Sequence, residues 1–170
     1  FIFGVKVEKR GQITSRCVCM ANHESYFDIM AMEVIIPDRC IWIAKQELLK
    51  NPILSIAMKR LDVIPIIRGD PKNSAISLLK AMRKKKGVFM IFPEGSRIKE
   101  KKTFFKGGIL LAQKLNLPIV PAKIEGTKEI MPPGSAIKVK KGNIVVRFKQ
   151  EIMPQGNIDE IAEKVHEEIL

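Results

Sequence analysis

Apolar and polar positions change period repeatedly along this chain, and each change marks the passage from one predicted element to the next. Residues 3–9 and 13–20 read as strands on either side of an Arg10-Gly11 turn. From Ile29 to about Ile36 the chain is apolar enough for a buried helix, which Pro37 stops. Ile41-Trp42-Ile43-Ala44 is a short buried strand, and a further helix is expected after Pro52, as far as about Arg60. Residues 62–67 form another apolar strand, which delivers Arg68 at its carboxyl end. Asn73 is placed to cap a helix whose apolar positions 75, 76, 78, 79 and 82 cover one side. Its Arg83-Lys84-Lys85-Lys86 run suits the negative end of the helix dipole before a Gly87 cap.

Val88-Phe89-Met90-Ile91-Phe92 is apolar on both faces, as a central strand must be. A helix over 107–116 is stopped by Asn116 and Pro118, a strand follows over 117–124, and Pro132-Pro133-Gly134 makes a turn. Residues 143–152 alternate, with Ile144, Val146 and Phe148 on one face. Asn157, with Asp159 and Glu160, starts a last helix with an apolar stripe of Ile158, Ile161, Val165 and Ile169; His166 at its edge reads as a surface histidine. Strands and helices alternate throughout, so the predicted class is α/β, a single domain over 1–170 with a central mainly parallel or mixed sheet flanked by helices.

Within this frame Asn22-His23-Glu24-Ser25-Tyr26-Phe27-Asp28 falls at a strand-to-helix turn. A titratable ring at the carboxyl end of a strand is where open α/β sheets place their chemistry, and a neutral imidazole there can take a proton near neutral pH. Asp28, in the first helical turn, can reach back to one ring nitrogen and fix its tautomer. The same residues admit a second reading: Ser25-x-x-Asp28 is a capping-box pattern that would serve only the helix.

Composition narrows the partners. The chain has 30 Lys and Arg against 18 Asp and Glu, a net charge of +12, which calls for an acidic partner. With one Trp, one Tyr and eight Phe, mostly in apolar runs, the chain lacks the aromatics that nucleic-acid sites interleave with basic residues, so no nucleic acid is expected. Cys17, Cys19 and Cys40 have no metal-ligand spacing and read as reduced core thiols, which suits the cytosol. No apolar run approaches the ~20 residues that span a bilayer, and no signal-peptide pattern opens the chain.

Four signals stand in order: Asn22-His23-x-x-x-x-Asp28, the strand ending in Arg68, Phe92-Pro93-Glu94-Gly95-Ser96-Arg97, and Leu117-Pro118-Ile119-Val120-Pro121. Lys45-x-Glu47-Leu48 and Phe105-Lys106-x-Gly108 lie between them. Together, over about residues 17–125, they resemble the glycerolipid acyltransferase superfamily, most closely its bacterial 1-acyl-glycerol-3-phosphate (lysophosphatidic acid) acyltransferases. The resemblance implies His23 and Asp28 as a catalytic dyad, and Glu94, Gly95, Arg97 and Arg68 as the site for the acceptor's phosphate and glycerol. Lys45 and Lys106 are weaker phosphate candidates. It further implies lysophosphatidic acid as acceptor, an acyl-carrier protein or coenzyme A thioester as donor, no metal or other cofactor, and peripheral attachment to an anionic membrane at its cytoplasmic face. A membrane-binding segment before residue 1 is expected. Other lyso-phospholipids as acceptors, or a non-catalytic module binding anionic headgroups, are the alternatives. One departure stands out: where the family's second motif commonly opens with Gly, this chain has Asp62, a carboxylate to be turned away from a phosphate site or paired with Arg60.

Overall fold

Val18–Ala21 and Val88–Ile91 are apolar at every position, and such strands are stable only where helices cover both faces of their sheet. Both lie at the centre of a seven-stranded sheet in the computed structural model of the chain, which describes residues 4–50, 60–67, 71–97, 103–132 and 139–170. The strands are β1 (Val5–Arg10), β2 (Val18–Ala21), β3 (Cys40–Lys45), β4 (Asp62–Ile66), β5 (Val88–Ile91), β6 (Ile119–Glu125) and β7 (Gly142–Phe148), in the order β1-β7-β6-β2-β5-β3-β4. From β6 to β4 every neighbouring pair is parallel. β7 runs antiparallel to β6, and β1 parallel to β7. Five strands therefore present their carboxyl ends along one edge of the sheet.

Alternation along the strands sends side chains into two cores. On one face Cys17, Cys19, Ala21, Trp42, Met90, Val120 and Val146 meet Phe27, Ala31 and Met32 of α1 (Phe27–Ile35) and Ile130 of α4 (Thr127–Ile130). On the other, Val18, Met20, Ile41, Phe89, Ile91 and Ile119 pack against α2 (Pro71–Lys84), α3 (Gly107–Leu115) and α5 (Ile158–Ile169). Asn157 caps α5 by accepting the Asp159 amide at 2.7 Å. Gly108 lets α3 lie close on the sheet, because a Cβ there would come within 2.7 Å of Met20 Cε and 2.8 Å of Ile91 Cδ1.

Several boundaries differ from the sequence expectation. The Arg10-Gly11 signal does not join paired strands: β1 lies at the sheet edge beside β7, while only Val18–Ala21 of the second predicted strand enters the sheet, at its centre. A strand apolar on both faces gains more from central burial than from pairing with a charged edge strand. α2 begins at Pro71, whose fixed φ suits the first helical position, two residues before the expected Asn73 cap. Gly87 lies three residues past the end of α2 and leads into β5 with φ +141°, where a Cβ would stand 2.3 Å from the Arg39 carbonyl oxygen. β7 ends at Phe148, and Ile152 returns only as a single bridge to Ile119. The helix expected between Pro52 and Arg60 and the Pro132-Pro133-Gly134 turn fall largely outside the described residues, as does Arg68. Asp62 pairs with Arg39, at 2.9 Å, and with Lys85, not Arg60. It opens β4 at the amino end, so the carboxylate lies a strand's length from the opposite edge.

Candidate active site

The carboxyl edge gathers the candidate residues. β2 ends at Ala21 and hands the chain to His23; β5, paired with β2 in register Met20 to Ile91, ends one residue before Phe92 and the Glu94 turn. Asn22 fastens the first of these exits, its side chain bonding both the amide and the carbonyl of Ile124 on β6, at 2.7 and 2.8 Å. His23 Nδ1 lies 2.7 Å from Asp28 Oδ2. That same oxygen accepts the backbone N–H of Glu24 at 2.8 Å and of Ser25 at 2.9 Å. Ser25 Oγ accepts the Phe27 amide at 3.2 Å and donates to the Met131 carbonyl at 2.7 Å. Asp28 thus meets the imidazole and holds the turn ahead of α1 with one oxygen, while the N-cap position of the helix is Tyr26, not the expected Ser25, and carries no side-chain cap bond.

Because a carboxylate only accepts, Nδ1 carries the proton of this bond, and the lone pair of the neutral ring lies on Nε2. Burial pulls the His23 proton affinity below the ordinary histidine value; the Asp28 bond and charge oppose that, the Arg97 charge adds to it and the Glu94 charge opposes it. The ring is mostly enclosed, with 14% of its side chain open, and so is neutral at neutral pH yet reachable. Phe92 stacks flat on it, with centroids 3.9 Å apart and an angle of 5° between planes.

The buried Glu94 accepts the backbone N–H of His23 at 2.9 Å, tying the two turns together. Gly95 follows with φ +61°, a left-handed conformation that favours glycine, and its carbonyl accepts Lys45 Nζ at 2.8 Å from the end of β3. Arg97 lies over the Tyr26 ring, its guanidinium carbon 3.6 Å from the centroid. A guanidinium stacked in this way keeps its in-plane N–H groups directed outward, where they suit the oxygens of an anion. His23, Asp28, Glu94, Gly95, Arg97 and Lys45 are thus brought together. Lys106 instead pairs with Asp159 at the start of α5. Phe105 beside it is exposed, whereas Phe104 packs against the core and the exposed His166 ring, at 5.2 Å. Sequence reasoning gave no role to Phe92, Tyr26 or Asn22; their signal was adjacency, each lying inside or next to a quoted motif. Among the described residues no cluster of His, Cys, Asp and Glu could hold a metal ion.

An imidazole with its lone pair on Nε2 lies at the carboxyl edge of a mainly parallel sheet, beside a cation, an arrangement with the chemistry that a general base and an anion site would need. Comparison gives this arrangement a family. The family model described as Acyltransferase matches residues 4–125. A 1-acyl-sn-glycerol-3-phosphate acyltransferase of Helicobacter pylori is 30% identical over 177 residues, covering 98% of this chain and 74% of the relative. The chloroplastic 1-acyl-sn-glycerol-3-phosphate acyltransferase BAT2 of Brassica napus is 33% identical over 140 residues, 80% of this chain and 40% of the relative. The chain thus spans well under half the length of that plant protein. The crystal structure of the 1-acyl-sn-glycerophosphate acyltransferase PlsC from Thermotoga maritima superposes with a TM-score of 0.76 at 23% identity, over 96% of this chain and 68% of that one, which shows the shared fold. The chain belongs to the acyltransferase family.

Proposed function

We propose that this chain is the catalytic domain of a 1-acyl-sn-glycerol-3-phosphate acyltransferase, which moves a fatty acyl group from an acyl-carrier protein or coenzyme A thioester to the sn-2 hydroxyl of lysophosphatidic acid and so makes phosphatidic acid. The observation that carries this reading is the 2.7 Å bond between His23 Nδ1 and Asp28 Oδ2, which leaves Nε2 to act as base. Nε2 takes the hydroxyl proton as the acceptor oxygen bonds to the thioester carbonyl carbon. The C–S bond then breaks and the departing thiolate takes the proton from the imidazolium, which regenerates the base without an acyl-enzyme. Asp28 holds the tautomer and offsets the transient positive charge.

Arg97, set on Tyr26, is the fork for the acceptor's phosphate; Arg68 from the chain beyond β4 is its proposed companion. Glu94 and Gly95 shape the turn, and Lys45 holds it through the Gly95 carbonyl. Lys106, held by Asp159, has a place here only if that pair opens to the phosphate. The +12 charge suits work at the anionic cytoplasmic face of a membrane and an acidic donor, and no helix among the described residues is long and apolar enough to cross a bilayer. The test is product analysis by mass spectrometry with lysophosphatidic acid, other lyso-lipids and each donor in vesicles. His23→Ala should lose acyl transfer by ~100- to 10,000-fold while keeping its fold. Arg97→Lys should lose roughly ten- to hundredfold in kcat/KM on lysophosphatidic acid and much less on an acceptor without phosphate. Near-normal turnover by folded His23→Ala would sink the mechanism.

A further inference from the structure

Helix α1 reaches His23 from two directions. Asp28, in its first turn, bonds Nδ1 directly. Glu33, further along the same helix, accepts the Trp42 indole N–H at 2.6 Å; the Trp42 ring lies against Phe92, with centroids 5.5 Å apart and planes tilted by 37°; and Phe92 lies flat on His23. The contacts form a closed circuit, from α1 through β3 and the end of β5 back to the base. Neutral aromatic pairs favour offset or edge-to-face contact, whereas a flat ring close over a ring face suits a partner that becomes a cation.

We infer that Phe92 is a positioning residue for the base: its ring, steadied by Trp42, fixes the imidazole plane and stabilises the imidazolium formed when His23 takes the acceptor's proton. This rests on the reading of His23 as general base. The charged groups that face His23 are Asp28 from α1 and Glu94 and Arg97 from the turn after β5; the carboxylates favour the cation, and Arg97 with burial disfavours it. A change at Phe92 leaves all three charges in place, and because uncovering the ring would by itself raise its proton affinity, a downward shift reports loss of the aromatic face.

The experiment compares wild type, Phe92→Leu and Phe92→Tyr in two ways: kcat and KM against pH with lysophosphatidic acid and an acyl thioester, and the His23 ring titration by NMR without substrate. Phe92→Leu should lower kcat roughly tenfold, leave KM for the acceptor nearly unchanged, and move both the acid limb and the NMR midpoint down by about one pH unit. Phe92→Tyr, which keeps a π face, should stay near wild type. If Phe92→Leu fails to fold, Phe92→Met takes its place. An unmoved His23 midpoint in the folded Leu or Met protein, or an equal loss in the Tyr protein, would overturn the inference. Turnover by His23→Ala would overturn the general-base reading instead, while the NMR midpoint still reports whether the ring favours the charged imidazole.

Discussion

One oxygen, Asp28 Oδ2, accepts a ring N–H and two backbone amides, so a substitution there acts on helix and base together. In Asp28→Asn the amide oxygen can take over all three N–H groups, with the NH2 standing where Oδ1 has no partner, so the negative charge that offsets the imidazolium is lost and a donor is buried unpaired. The expected outcome is a rate loss of ~100- to 10,000-fold together with about 1 kcal/mol of stability, measured by turnover of the folded fraction and urea unfolding. Loss of stability with turnover intact would leave Asp28 as a support of the turn alone. His23 also sets a pH signature. Its folded proton affinity lies below the ordinary value of 6.5, so the acid limb of kcat/KM should fall below that pH. The unfolded chain takes the proton first as pH drops, so the stability linked to neutral His23 is present above about 6.5 and lost as pH falls through the folded value. The urea midpoint of wild type should decline over that range more steeply than that of His23→Gln.

At the scale of elements, the close seat of α3 is the feature most open to test. Gly108→Val would push branched methyls toward Met20 and Ile91, side chains of the two strands that end at the site. Overpacking of this kind costs about 1–3 kcal/mol, readable as a lower urea midpoint. An unchanged midpoint would mean that the flexible ends of Met20 and Ile91 make room. The sequence made the buried β5, α1 and α5 plain, the first two as apolar runs closed by Pro93 and Pro37 and the last by its apolar stripe and Asn157 cap. It could not place β1, because strand order is decided by pairing between residues far apart in the chain, and Val5 to Gly142 is such a pairing. The His23 turn was legible as two competing roles, and only the geometry of one carboxylate oxygen joins them. The Phe92 stack was illegible for a related reason: an aromatic at the end of an apolar strand looks like core until its neighbour across the sheet is known.

For the molecule as a whole, the +12 charge predicts association with anionic vesicles that weakens as salt rises, because screening lengths shrink from about 10 Å at 0.1 M to about 3 Å at 1 M. The exposed Phe105 adds an apolar contact next to this charge, so Phe105→Ser should reduce partitioning with little change in unfolding temperature. Sedimentation with anionic and neutral vesicles checks both. Equal binding to the two at low salt would count against the electrostatic account.

The three thiols turn the core into a clock. Cys17, Cys19 and Cys40 are free and buried on one face of the sheet. Burial pushes Cys17 and Cys40 up to about 12 and Cys19 well above its ordinary value, so almost no thiolate exists in the closed protein. An alkylating reagent can therefore react only during excursions that expose this face, and the mass added over time, in the unaltered protein, counts those excursions. Three additions arriving together would mean that the face opens as a unit. An early single addition at Cys40 would mean that the β3–β4 side loosens first.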